Sequence, residues 1–570
     1  MRNALPHYSA AALLALLLTS TTALAQPHIL QQRCLGGSGA EAFANIAPTR
    51  DGGYIVLSST NSSDGDVVGN HKGYGDIWLI KFDVCGEQLW SRCYGGSGIE
   101  VGSAVVEAPE NGYLFIGSTT SIDGDVKGWH RGANGYNEDL ADAWAVRIDS
   151  AGGILWQRSL GGTDLDFFHG LCLAHDGGYL VVGGTCSNDG DVKGQHNSKD
   201  GRGDAWAIKL SETGAIEWQQ TLGGSDHETF TTAAATPDGG YIAVGSTNSN
   251  NGDVSGLHRN GTEYSADLWV VKLGGNGTLQ WQRCLGGSEF EDPAYLQRIL
   301  ITKDGSSIML CRTDSKDGDV DPPDGTMIEA PNKVRLDTWI VKLNPDGTLQ
   351  HQRRLGHKET DDMSGLALLS NGDVIATGCT ATKSPLTDEG IRHMDGWIVQ
   401  LDSTLGVRWE ARLGGSDIDN LDDVIALNDT MLVIAGSTRS NDGDVKNRRL
   451  KHGPPNWDLW ITTVAIGSIK QHRNSIQQET IPVPVGSTLS SIAVMPNPTR
   501  GRCALVLPEQ FQGNVLVEVI NTRGQVVMLS PFSNVGDRLP LDLGNLPVDI
   551  YTVAVTRGRE KGSAEVTIQR

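Results

Sequence analysis

With 570 residues, 72 glycines, 14 tryptophans and a formal net charge of −22, the chain falls outside several broad classes. The glycines follow no G-X-Y period, which excludes collagen, and the tryptophans with many Val, Ile and Leu exclude a disordered chain. The acidity argues against a general nucleic-acid binder, while abundant glycine and tryptophan predict turns and short strands, an all-β protein.

In chain order, residues 1–25 read as a secretory signal peptide. Arg2 supplies the positive start, Ala10–Leu18 the apolar run and Ala23-Leu24-Ala25 the small-residue cleavage site before Gln26. The run is too short to remain as a membrane helix, and no later segment reaches about 18 uninterrupted apolar residues, so no transmembrane segment is expected. The chain is expected to be secreted, extracellular or on the outer-membrane surface. Nine cysteines at scattered spacings, an odd count with no C-x-x-C, do not make a disulfide scaffold.

Internal repetition dominates residues 26–466. The phrase L-G-G or a close variant recurs with first glycines at Gly36, Gly95, Gly161, Gly223, Gly286, Gly356 and Gly414, spaced 58 to 70 residues apart. D-x-W occurs once in each repeat: Asp76/Trp78, Asp142/Trp144, Asp204/Trp206, Asp267/Trp269, Asp337/Trp339, Asp395/Trp397 and Asp458/Trp460. Within a repeat the pattern predicts four strands. A first strand ends at a D-G-G-Y tight hairpin (Asp51–Tyr54, Asp176–Tyr179, Asp238–Tyr241). A long polar loop with D-G-D-V follows the second strand, the third alternates around the tryptophan, and the fourth leads back to L-G-G.

The last repeat lacks its fourth strand, and Ile29–Gly37 copies Leu279–Gly287 almost residue for residue. The N-terminal strand is therefore expected to complete the last unit and close a ring, removing open sheet edges. The expected fold is all-β: a seven-bladed β-propeller closed by the N-terminal strand, then a small β-sandwich-like C-terminal domain. A propeller of another blade count is the runner-up. Asp83, Gly86 and Trp90 loosely resemble the tryptophan-docking repeat of quinoprotein-type propellers, and this resemblance supports architecture only.

Residues 467–490 are polar with two prolines and read as a linker. Residues 491–570 form a separate strand-rich module with 8 Lys and Arg against 7 Asp and Glu, so the acidity belongs to the repeats. Pro496-Asn497-Pro498-Thr499, Gly501, the strand-turn-strand from Val515 through Gly524, Leu541-Asp542-Leu543, Leu546-Pro547 and Ile550–Val555 follow one another in a family's order. On these motifs the module resembles the type A C-terminal sorting domain of the type IX secretion system of Bacteroidota, with Asp549 where the family usually has glycine. The resemblance implies that 491–570 engages the type IX machinery, with outer-membrane export, usual removal of this module and frequent attachment to surface lipopolysaccharide.

Two acidic patterns are candidates for chemistry. An acid stands five residues after each first glycine: Glu41, Glu100, Asp166, Glu228, Glu291, Asp361 and Asp419. These lie at the entry to the innermost strand, where a carboxylate ring near the axis could hold a cation, or where each acid could cap amides of a neighbouring blade. D-G-D-V supplies Asp64 and Asp66, Asp123 and Asp125, Asp189 and Asp191, Asp317 and Asp319, and Asp442 and Asp444, with G-x-H after four copies. Such carboxylates suit a Ca²⁺ cage or Asx-type turns that scaffold the loop. No nucleophile elbow, P-loop, H-E-x-x-H or dinucleotide fingerprint occurs.

The D-G-D and L-G-G loops are expected on one face, where the repeats differ by Tyr74, Trp129, Tyr136, Tyr264 and Trp457, beside Arg131, Arg259, Arg448 and Arg449. Exposed aromatics beside Arg and Asp suit a surface glycan or protein ligand. A non-catalytic binding module is the leading expectation. The alternative is a secreted hydrolase, lyase or quinoprotein-like enzyme with a metal-assisted site in the acidic channel.

Overall fold

The computed structural model describes residues 27–466 apart from 72, 85, 131–139, 197–202, 259–265, 294–297, 321–336, 358–359, 383–392, 447 and 449–455. It also describes 492–567 apart from 496–501, 508–510, 522–525, 537, 544–549 and 558–559. The signal-peptide and linker segments lie outside the described residues.

Each marker in the repeat sits at a strand boundary. The strands Glu41–Pro48, Tyr54–Thr60, Asp76–Phe82 and Gln88–Tyr94 pair antiparallel in that order, and the following repeats do the same. The D-G-G-Y segment turns tightly, with Thr49 N–H donating to Gly53 O at 3.0 Å and Gly52 N–H to Thr49 O at 2.9 Å. Residues 49–53 form the turn, with Asp51 Oδ1 accepting from Gly53 N–H at 2.9 Å and from the Thr49 hydroxyl at 2.5 Å. Buried Lys81 then ties the turn to the third strand, Nζ lying 2.9 Å from Asp51 Oδ2.

The first five D-x-W strands are buried along their whole length because both faces pack on other sheets. Trp78 and Ile80 meet Ile425 and Val433 of the last sheet, while Ile77 and Leu79 meet Phe115 and Trp144 of the second. Alternate residues of one strand thus serve two cores, which is why these strands are nearly continuous in apolar residues. The innermost strands touch in turn around the ring, and Glu41–Pro48 touches Asp419–Asn428 to complete it.

The N-terminal strand His28–Leu35 joins the sheet of Asp419–Asn428, Met431–Thr438 and Asp458–Ala465 as its outer member. Cys34 faces Trp460 in the register that places Cys93 opposite Trp78 and Cys284 opposite Trp269. The Trp460 indole N–H reaches Gln32 Oε1 at 3.2 Å, as Trp144 reaches Gln157 at 2.8 Å. Among the described residues the sheets between 28 and 465 number seven, so the chain is an all-β, propeller-type ring of antiparallel sheets.

The fifth sheet departs from the pattern. Its innermost strand is broken into Glu291–Asp292 and Leu300–Ile301, and the step from Glu291 to Ser307 is 16 residues where that from Glu228 to Tyr241 is 13. Residues 493–567 form two further sheets, of three and four strands, around one core that includes Leu505, Val517, Leu541 and Val553. Cys34, Cys93, Cys172, Cys284, Cys311 and Cys379 are free thiols. Among the described residues no helix is long and apolar enough to cross a membrane.

Candidate functional site

The L-G-G and D-G-D loops meet backbone to backbone, as their shared face predicts. Gly65 has φ +73°, and a Cβ there would stand 2.3 Å from Gly36 O, so only glycine fits. Asp64 Oδ1 accepts from Ser38 N–H at 2.7 Å and Asp66 Oδ2 from Gly36 N–H at 3.2 Å. Asp123 takes Ser97 N–H at 2.7 Å, Asp125 takes Gly95 N–H at 3.4 Å and Asp189 takes Thr163 N–H at 2.8 Å. These carboxylates brace the L-G-G loop across 26 to 30 residues of chain and are not local Asx turns. Among the described residues no group of three or more His, Cys, Asp or Glu is placed to hold a metal ion.

The histidines after D-G-D-V strap neighbouring sheets together. His130 Nδ1 lies 2.9 Å from Asp142 of its own repeat, and Nε2 lies 3.6 Å from Asp191 of the next. His71 bridges Asp76 and Asp125, His196 bridges Asp204 and Asp253, and His258 bridges Asp267 and Asp319 in the same way. In the fifth and seventh repeats arginine takes over, Arg354 on Asp337 at 2.7 Å and Arg448 on Asp458 at 3.1 Å. Arg448, expected at the binding surface, is therefore a buried brace.

The acid after each L-G-G is a buried acceptor of amide and hydroxyl hydrogen bonds. Glu41, Glu100 and Asp166 are fully buried at the first residue of their innermost strands. Glu41 accepts from the Thr60 hydroxyl at 2.7 Å and Gly37 N–H at 3.2 Å, and Glu100 from Thr119 at 2.6 Å and Gly96 N–H at 2.9 Å. Asp166 accepts from Thr185, from Ser187 at 2.7 Å and from Gly162 N–H at 2.8 Å. Each thus caps an amide of the loop that leaves the outer strand of the preceding sheet, and also takes a hydroxyl of its own sheet. Burial pushes the Asp166 carboxyl up to about 6 against these bonds.

The expected aromatic surface does not converge. Tyr74 is 80% exposed above the first and second repeats, Trp129 is half-buried in its D-G-D loop, and Tyr136 and Tyr264 lie outside the described residues. Trp457 is different: it lines a cavity of about 480 Å³ among the first, fifth, sixth and seventh sheets.

This cup forms where the repeat breaks. In several innermost strands a β-bulge turns one residue off the ladder, such as Ser103, His169, Thr231 and Ser364. In the first and seventh sheets the irregularity takes two residues, Phe43 with Ala44 and Leu421 with Asp422. Phe43 is held at φ +60°, a region that a bulky residue rarely enters, and it is 55% exposed. Phe43, Ser364 and Asp422 all line the cup, joined by Arg312, Asp362, Asn420 and Ser437.

The charges there are arranged in pairs with one left over. Arg312 Nε binds Asp362 Oδ1 at 3.1 Å. Asp423 is buried beside the cup and held by Arg298, whose Nε lies 3.2 Å from Oδ1 and whose Nη2 also donates to Ile46 O. Arg298 comes from the broken strand of the fifth sheet and so crosses to the seventh and first. Among the described residues the Asp422 carboxylate accepts only Ala44 N–H, at 3.2 Å, while the residue's backbone carbonyl takes the Ser364 hydroxyl at 2.7 Å. Burial pushes its carboxyl up to about 7, with Asp423 and Asp362 adding repulsion. Burial also raises Asp362, with Arg312 opposing.

Sequence reasoning missed Phe43, Arg312, Asp362 and Asp422. One signal was available: Asp361-Asp362 and Asp422-Asp423 are paired acids on innermost strands, where the first four repeats put no second acid next to the first.

No protein-family profile matches the chain, and no curated protein matches it. Among solved structures it is similar to a protein of unknown function from Dyadobacter fermentans, at 8% identity and TM-score 0.38 over 77% of this chain and 99% of that one. It is similar to the Pan2 WD40 domain of Neurospora crassa at 8% identity and TM-score 0.38, over 79% and 99%. The PQQ-bound aldose sugar dehydrogenase of Streptomyces coelicolor follows at 11% identity and TM-score 0.32, over 77% and 98%. The propeller-type assignment rests on this chain's own sheet order and on the pairing of its two ends.

Proposed function

We propose that the protein is an exported, seven-bladed β-propeller that binds a glycan outside the cell without transforming it, the axial cup being the binding site. In this reading residues 1–25 are the signal peptide, and the two-sheet module of 491–570 is a β-sandwich-like sorting domain read by the type IX machinery. The observation that carries the binding role is the break in repetition. Structural devices recur around the ring, whereas Phe43, Asp362, Asp422, Arg312 and Trp457 come together once. Aromatic side chains beside carboxylates, hydroxyls and an amide are the furniture of saccharide sites. The test is a glycan array probed with the purified full chain and with Trp457→Ala. Loss of binding at an unchanged melting temperature supports the cup; unaltered binding places the site elsewhere.

One observation favours a second reading, a hydrolase or lyase. Asp422, at about 7, shares the cup with arginine-paired Asp362, and a carboxyl poised near neutrality is suited to proton transfer. Turnover of aryl glycosides that vanishes in Asp422→Asn would establish it, and binding without turnover across pH 5 to 8 would reject it.

A further inference from the structure

Asp422 is the one acid of the cup without a counter-ion. Arg298 neutralises Asp423 and Arg312 neutralises Asp362, but among the described residues no Lys, Arg or His pairs with Asp422. An enclosed carboxylate left unpaired is costly, and a cation that completes it is correspondingly well held. Its remaining hydrogen-bonding capacity faces a cavity of about 480 Å³, room for about one or two sugar rings. Phe43 and Trp457 supply apolar ring surface on that cavity, and Ser364 and Ser437 supply hydroxyls.

Resting on the reading that the cup takes a saccharide, we infer that the saccharide is an amino sugar with a free, protonated amine, and that this ammonium pairs with Asp422. A charge-assisted hydrogen bond in a partly enclosed site is about twice as strong as a neutral one, and nearby aromatic faces add cation–π attraction. An N-acetylated or neutral sugar offers neither and leaves the carboxylate unpaired.

Isothermal titration of the full chain at neutral pH with D-glucosamine, N-acetyl-D-glucosamine and D-glucose tests the inference. Glucosamine is expected to bind at least about tenfold more tightly than the other two. In Asp422→Asn that advantage should fall to within about twofold, while Asp422→Glu should keep part of it. Thermal unfolding of both variants verifies that they fold. Equal affinity for all three sugars overturns the amino-sugar inference and leaves the glycan reading standing, as does a preference that survives Asp422→Asn. Binding of none of the three overturns the inference, and the array then decides the broader reading.

Discussion

At the scale of single residues, the tryptophan of each D-x-W strand shows how a repeat tolerates one lapse. Trp144, Trp206, Trp269 and Trp339 each donate their indole N–H to a glutamine at the same register: Gln157, Gln219, Gln282 and Gln352. In the first sheet that position is Ser91, opposite Ile80 as Gln157 is opposite Val146. Serine is too short, and the buried Trp78 Nε1 has no acceptor. An unsatisfied buried donor costs about 1–3 kcal/mol. Ser91→Gln is therefore expected to stabilise the protein by roughly 1 kcal/mol in denaturant unfolding. The opposite change, Gln282→Ala, should cost about as much by orphaning Trp269.

At the scale of elements, the strand His28–Leu35 does for the ring what no loop can. Without it the edge of Asp458–Ala465 is unpaired, and an open edge of that length invites association with other chains. Deletion of residues 27–35 is expected to abolish cooperative melting and produce aggregates on size exclusion. Trp460→Ala in the intact strand pair should cost roughly 3–5 kcal/mol and leave a monomer. The pairing of the ends was legible in the sequence because Ile29–Gly37 copies an internal strand, and copying fixes register. The loop contacts were half legible: L-G-G and D-G-D could be placed on one face, but the straps from His71, His130, His196 and His258 to the next repeat could not. Their partners lie in a different unit, and repetition reports only what happens within one. The cup was the least legible for the same reason. Arg312, Asp362, Asp422 and Phe43 stand in four different repeats, and the bulges that gather them depend on ladder register, which leaves no mark on composition. Arg298 was hidden inside a repeat whose only sequence sign was its length.

At the scale of the whole molecule, protonation equilibria point mostly one way. Burial raises Asp142 and Asp166 to about 6 and Asp422 to about 7, and hydrogen bonds to Asp361 and Glu410 raise His357 to about 9. Each of these groups holds its proton more tightly folded than unfolded, so each contributes stability at low pH that is lost as pH rises through its folded value. The carboxyls act from about 4 to 7 and His357 from about 6.5 to 9. His169, lowered to about 4 by burial, acts oppositely between about 4 and 6.5, and Asp238, lowered to about 2, loses stability only under strong acid. The melting temperature is expected to peak on the mildly acidic side and to fall from pH 6 to pH 9 in a calorimetric series. A flat profile would show that these groups titrate alike in both states. The closing strand also imposes an order in time. Gln32 and Trp460 meet across 428 residues of chain, so a ribosome must finish nearly the whole ring before its first strand has anywhere to go. Contacts that distant form slowly, and until they form the growing product carries a strand without a sheet at one end and a sheet without its outermost strand at the other. The first strand of the ring to be synthesised is the last one placed, and an arrest anywhere in between leaves an unsealed chain open to proteases.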